Sequence, residues 1–236
     1  YRKEAFQMSG IFFDTGPIIS LTTTNLLQLL KPLKSHYKGQ FFITNGVKRE
    51  LIEKPLKSKK FKFEAIQVLN AVEKGILRIY NSKALHQQTL KLLDLANSCF
   101  SAHDNSVIII QYAEMNALAA AIENKADAFV VDEKTTRLLI ENPRKLVSRL
   151  AGKLHTHITV NHQNIKTFQQ KTKDISVIRS VELAAIAYEL KLLVDYILHI
   201  PEPKKTLLES IFWAIKMQGC AVSEKEIKEL VKVESS

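Results

Sequence analysis

Ile11-Phe12-Phe13-Asp14-Thr15-Gly16-Pro17-Ile18-Ile19 is the stretch that decides the fold. Three apolar residues closed by Asp, Thr, Gly and Pro read as a buried strand ending in a turn, and Pro17 is tolerated in the first turn of a following helix. Outward from it, Phe41-Phe42-Ile43, Ile76 to Tyr80, Ala128 to Val131 and Leu154 to Val160 repeat the short apolar pattern, with longer helical patterns between them. Strands alternating with helices predict an α/β fold in which a parallel sheet is covered on both faces, an α/β/α sandwich. Helices are expected over 18–33, from an N-cap at Thr44 or Asn45 to Lys54, and over 63–74, 83–99, 104–124 and 133–141. Pro55 is expected to break the chain. Beyond Asn161 the pattern becomes purely helical, over 177–198, 204–217 and 223–233, and Ser223-Glu224-Lys225-Glu226 marks the last start as a capping box. The expected organisation is a sheet domain over 1–160 and a helical C-terminal extension over 161–236.

The 236 residues, 46% hydrophobic and 25% charged, exclude a disordered or fibrous chain. Cys99 and Cys220 form no CxxC pair, so a thiolate zinc site is excluded and free thiols in a reducing compartment, the cytoplasm, are expected. The most apolar stretch, Val177 to Ile200, carries Arg179, Glu182, Glu189, Lys191 and Asp195, too many charges for a membrane span. The chain opens on Tyr1, which suggests a trimmed start. The formal net charge is +10, and residues 31–62 hold ten basic side chains against only Glu50 and Glu53. A polyanion is the natural partner of such a strip, because neutralised phosphates release counterions. Lys48, Arg49, Lys57, Lys59, Lys60 and Lys62 are the candidate RNA-binding residues, with Tyr37, Phe41 and Phe61 among them as candidates for stacking on bases.

Four carboxylates occupy special places. Asp14 and Asp132 each follow an apolar strand, at the edge of a parallel sheet where ligands bind, whereas Asp127 precedes its strand and belongs to the opposite pole. Glu114 falls on the stripe of Val107, Ile110, Ala117, Leu118 and Ala121, and Glu50 shares a helical face with Val47 and Leu51. Crowded carboxylates raise each other's pKa unless a cation neutralises them, and an all-oxygen set selects Mg2+ or Mn2+. On this reading Asp14→Asn or Asp132→Asn should each stabilise the metal-free protein. His155, His157 and His162 are a weaker metal candidate, with His155 and His157 on one strand face.

The sequence resembles the PIN-domain family through Ile11 to Ile19, Ile43-Thr44-Asn45-Gly46-Val47-Lys48-Arg49-Glu50-Leu51, Ala113-Glu114-Met115-Asn116-Ala117-Leu118-Ala119 and Val130-Val131-Asp132-Glu133-Lys134-Thr135-Thr136-Arg137. The resemblance spans about residues 10–160. It implies a parallel α/β/α sandwich and a Mg2+- or Mn2+-dependent endoribonuclease, with Asp14, Glu50, Glu114 and Asp132 as catalytic, metal-binding acids. Glu133 stands where many relatives have a second Asp and is an auxiliary ligand or base. Gly16 replaces a small polar residue, leaving Thr15 as the supporting hydroxyl. The helical region is longer than in compact toxin members, which points to RNA processing or a ribosome-associated role, with pre-rRNA among the substrates. That tail is also a place for a homodimer contact or a protein partner. A haloacid-dehalogenase-like phosphatase needs an Asp where Gly16 stands, and a response-regulator receiver needs one where Asn81 and Ser82 stand. The alternative to catalysis is the same fold used as an RNA-binding or assembly module with little or no cleavage.

Overall fold

Phe12 and Phe13 point to opposite faces of one strand, and both are fully buried. Phe12 stacks on Phe42 with ring centroids 4.9 Å apart and meets the edge of Tyr80, whereas Phe13 packs edge-on against Phe41 at 5.3 Å. A strand apolar on both faces belongs in the middle of a covered parallel sheet. Burying two phenylalanines there contributes about 2–3 kcal/mol each.

The computed structural model describes residues 10–103 and 105–235. From the amino end, β1 (Gly10–Phe13) leads into α1 (Thr15–Thr23), α2 (Leu30–Tyr37) and β2 (Gln40–Thr44). Next come α3 (Asn45–Lys48), a π-helical turn (Arg49–Glu53), α4 (Lys54–Leu56), α5 (Lys62–Glu73) and β3 (Leu77–Tyr80). They are followed by α6 (Leu85–Asn97), β4 (Phe100–Ala102), β5 (Asn105–Ser106), α7 (Tyr112–Asn124), β6 (Ala128–Val130), α8 (Lys134–Glu141) and α9 (Pro143–Leu154). The chain ends with β7 (Thr159–Val160), α10 (His162–Thr172), β8 (Ser176–Ile178), α11 (Ser180–Glu189), α12 (Pro203–Met217) and α13 (Glu224–Glu234).

Five strands form one parallel sheet in the order β3-β2-β1-β6-β8. Helices contact one another in two groups, α5, α1, α11 and α12 in one and α3, α7, α6 and α10 in the other, so the sheet is flanked as an α/β/α sandwich. The connections run outward in opposite directions from β1 and β6. Such a reversal opens a crevice at the carboxyl ends of the strands. Gly10 is required by close approach: a Cβ there would lie 2.9 Å from the Phe42 ring and 3.1 Å from Asn124 Oδ1.

Several expectations are corrected. The fifth strand of the sheet is Ser176–Ile178, not Leu154 to Val160, and the region beyond Asn161 is therefore not purely helical. Val177 and Ile178 are β-branched residues that pair with Phe129 and Val130, so the helix expected from 177 starts only at Ser180. Leu154 instead ends α9, and only Thr159–Val160 is extended, pairing antiparallel with β4 in a separate small sheet. The boundary expected at residue 160 is not respected by the main sheet, which takes its last strand from beyond it.

The helix expected over 18–33 breaks because Thr22, Thr23 and Thr24 return their hydroxyls to the carbonyls of Ile18, Ile19 and Ser20 and Asn25 turns left-handed. Pro55 does not break the chain where expected; it sits in α4 directly after the π-helical turn. The helix expected from Asp104, a residue outside those described, begins at Tyr112, because Val107 to Ile110 is a β-branched run. The capping box at Ser223 is as expected, with reciprocal bonds between Ser223 and Glu226.

Candidate active site

Asp14 ends β1 and starts α1. Its amide donates to the Val130 carbonyl of β6 at 3.0 Å, so Asp14 and the residues after β6 meet at the crevice. The side chain is 4% exposed, and its Oδ1 is buried with no hydrogen-bond partner. Burial, and after it the negative charge of Glu114, push its pKa up to about 7, against the pull of the Thr15 and Gly16 amides; Glu50 adds to the rise. An orphaned carboxylate oxygen at such a place is costly and is retained only where something else can neutralise it.

Glu50 and Glu114 approach from two helices. Glu50 lies in the π-helical turn, a distortion that inserts an extra residue and often marks functional positions. Thr15, the hydroxyl expected to support the site, donates to Glu50 Oε2 at 2.9 Å, and Lys54 stands 3.8 Å from Glu50 Oε1. Glu114 is the third residue of α7, where it accepts from the Gln111 amide at 3.3 Å and from the Thr136 hydroxyl at 3.0 Å. Burial above all, and then the charges of Glu133 and Glu50, raise its pKa despite those donors. The charges of Asp14, Glu50 and Glu114 therefore act on one another at one edge of the sheet.

Asp132 is placed at the same edge, but its role differs from expectation. Its Oδ2 accepts from the hydroxyls of Ser20 at 2.8 Å and Ser180 at 2.7 Å, and its Oδ1 accepts from the Ser180 amide at 2.8 Å. Burial above all, and then the charge of this carboxylate, push the Cys220 thiol up to about 12. Three donors hold the carboxylate and the Asp132 carbonyl accepts from the Ala221 amide at 3.0 Å, so Asp132 ties α1, α11 and the segment before α13 together. Gly16 fits between the two aspartates; a Cβ there would stand 3.5 Å from Asp132 Cβ and 3.9 Å from Asp14 Oδ2.

This separates two substitutions that the sequence treats alike. Asp132→Asn should destabilise the protein by about 1–2 kcal/mol, because the amide sets a donor against a hydroxyl or N–H that now donates. Urea denaturation of the variant at neutral pH checks the sign, and a gain in stability would refute the tether.

Glu133, expected as an auxiliary ligand, is exposed and caps α8 by accepting from the Thr136 amide at 2.9 Å. Among the described residues, no three His, Cys, Asp or Glu side chains are gathered in a metal-ligating arrangement. His155 is a left-handed helix cap and His157 an exposed residue before β7, so the expected shared strand face does not form. Lys57, Lys59, Lys60 and Lys62 are exposed in and beside the connection from α4 to α5, next to the turn that carries Glu50. Arg49 is exposed, whereas Lys48 is bound to Glu53 at 3.0 Å. Ser20, Thr136 and Ser180 escape a reading of the sequence, since isolated hydroxyls carry no periodic signal. No family model, curated protein or solved structure matches this chain.

Proposed function

We propose that this protein is a PIN-like endoribonuclease that uses Mg2+ or Mn2+ to hydrolyse RNA phosphodiester bonds. The observation that carries the proposal is the unpartnered, buried Oδ1 of Asp14, whose charge is opposed by Glu114 and Glu50. A hard cation answers that repulsion, and the oxygen donor set suits Mg2+ or Mn2+. Asp14 and Glu114 would hold it, and because no three such side chains are gathered in a ligating arrangement among the described residues, the ion would have to draw the acids together. Such an ion lowers the pKa of an attacking water and stabilises the leaving oxygen. Glu50, whose side chain is about a third exposed, would orient the attacking water, and Asp132 would steady the edge through Ser20 and Ser180.

The exposed lysines after α4 would bind the RNA backbone. Reversing the charge of Lys57, Lys59 and Lys60 together should weaken single-stranded RNA binding and flatten the log-log salt slope by about 0.7 for each phosphate that is no longer neutralised. Binding titrations at several salt concentrations measure this, and an unchanged slope would remove the three lysines from the surface.

A second reading, an RNA-binding or assembly module without cleavage, draws on the full hydrogen bonding of Asp132. Cleavage of labelled structured and unstructured RNAs with Mg2+, Mn2+ or chelator decides between them. Metal-dependent product supports the nuclease; binding with no product under any condition leaves the module.

A further inference from the structure

Beside Glu50 the surface opens into a recess of about 70 Å3 lined by Ile19, Thr22, Thr23, Pro55, Phe61 and Val68, among others, and Glu50 itself forms part of its wall. The acid bound by the Thr15 hydroxyl therefore also borders an apolar hollow. Phe61 is 44% exposed and Ile19 36% exposed, so two large apolar side chains meet water at its rim. Phe61 also holds a left-handed backbone, φ 61°, which is an outlier for a bulky aromatic residue. Lys60 Nζ stands 4.7 Å from the centre of the Phe61 ring, and Lys57, Lys59 and Lys62 surround it in sequence. Of the other aromatic residues among the lysines, Phe41 is buried in the core and Tyr37 stacks on it at 5.8 Å. Phe63, beside Lys62, is 69% exposed but does not line the recess, so Phe61 is the aromatic residue that both borders Glu50 and meets water, with Lys60 over one side of its ring.

We propose that Phe61 and Ile19 form a subsite on which one unstacked nucleobase of a bound RNA strand is held. This rests on the nuclease reading for its use, but it is tested by binding alone. The hollow is too small to enclose a base, which therefore lies flat on the Phe61 ring and against Ile19. The lysines around the ring meet the phosphates on either side of that base, and this charge complementarity selects a nucleic acid over an apolar partner. A duplex keeps its bases stacked inward and offers only its backbone, so it gains the lysine contacts without the ring contact.

The probe is a short single-stranded oligoadenylate carrying one 2-aminopurine, compared with the same strand in a duplex, both with metal-free protein. Phe61→Ala should weaken the single strand about tenfold, as expected for loss of one base–aromatic stack, and leave the duplex within about twofold. Phe61→Trp should retain the affinity and quench the 2-aminopurine, which also shows that the fold tolerates change at this position. Equal weakening of both nucleic acids by Phe61→Ala, or no weakening of either, would overturn the subsite. If the single-strand preference depends on Phe61 but no RNA is cut with any metal, the subsite stands and the nuclease reading fails. If metal-dependent cleavage occurs while Phe61→Ala binds both probes as the unmutated chain does, the nuclease reading stands and the subsite fails.

Discussion

On the proposed nuclease reading, Asp14→Asn is expected to lower metal-dependent RNA cleavage by about 10³-fold, or about 4 kcal/mol of transition-state stabilisation, while making the metal-free protein more stable. The two effects have one cause. The Asp14 carboxyl is held at about 7 in the folded protein against 3.8 as its ordinary value, chiefly by burial and then by Glu114. Between those values the folded state keeps a proton that the unfolded chain has released. The contribution of Asp14 to stability is therefore full below pH about 4 and falls as pH rises toward 7, by up to about 4 kcal/mol. Glu114, raised as well, acts in the same direction. Asn carries no charge at any pH, so the variant should lose most of this slope and melt several degrees higher at pH 8. Mg2+ should stabilise the unmutated protein more than the variant, and more at pH 8 than at pH 5, where protons compete for Asp14. Melting curves across pH, with and without Mg2+, measure both. Matching pH slopes in the two proteins would remove Asp14 from the centre of the site.

Arg179→Met should cost about 3 kcal/mol in urea denaturation. Arg179 lies between β8 and α11 and is 7% exposed. Its guanidinium donates to Glu182, to the Ala221 carbonyl at 3.0 Å and to Glu226 Oε1 at 3.0 Å. One side chain thus joins the last sheet strand, the first turn of α11 and the capping box of α13. Removing it strands two carboxylates and a carbonyl, which is why the loss should exceed that of an exposed ion pair. Both glutamates are partly exposed, and water therefore keeps the cost near the lower end for a broken buried pair. Glu226→Gln, which keeps an oxygen acceptor for Arg179, should cost about 1 kcal/mol. A loss from Arg179→Met no larger than the roughly 1 kcal/mol expected of Glu226→Gln would mean that the network is solvated and contributes little.

The sheet edge was readable because strand ends are local features. An acid directly after an apolar run, as at Asp14 and Asp132, lies at the carboxyl end whatever the rest of the chain does. Glu114 was readable as a polar residue amid apolar ones in a helix. The fifth strand was not. Val177-Ile178 is too short to show alternation and merges into the apolar face of α11, whereas Leu154 to Val160 shows alternation and yet only Thr159–Val160 of it pairs, in the other sheet. Short segments become strands of a given sheet through their partners, and those partners are distant in sequence.

The sequence by itself determined the alternation of strands and helices, the basic character of the segment after β2 and the presence of acids at strand ends, because each depends only on residue type and local spacing. Tertiary structure alone decided how the acids divide. Asp14 is left with a bare oxygen and feels the charges of Glu114 and Glu50, whereas Asp132 is held by Ser20 and Ser180, brought from two distant parts of the chain. The charge of a carboxylate belongs to its residue, but the cost of that charge is set by the donors and other charges that folding places around it.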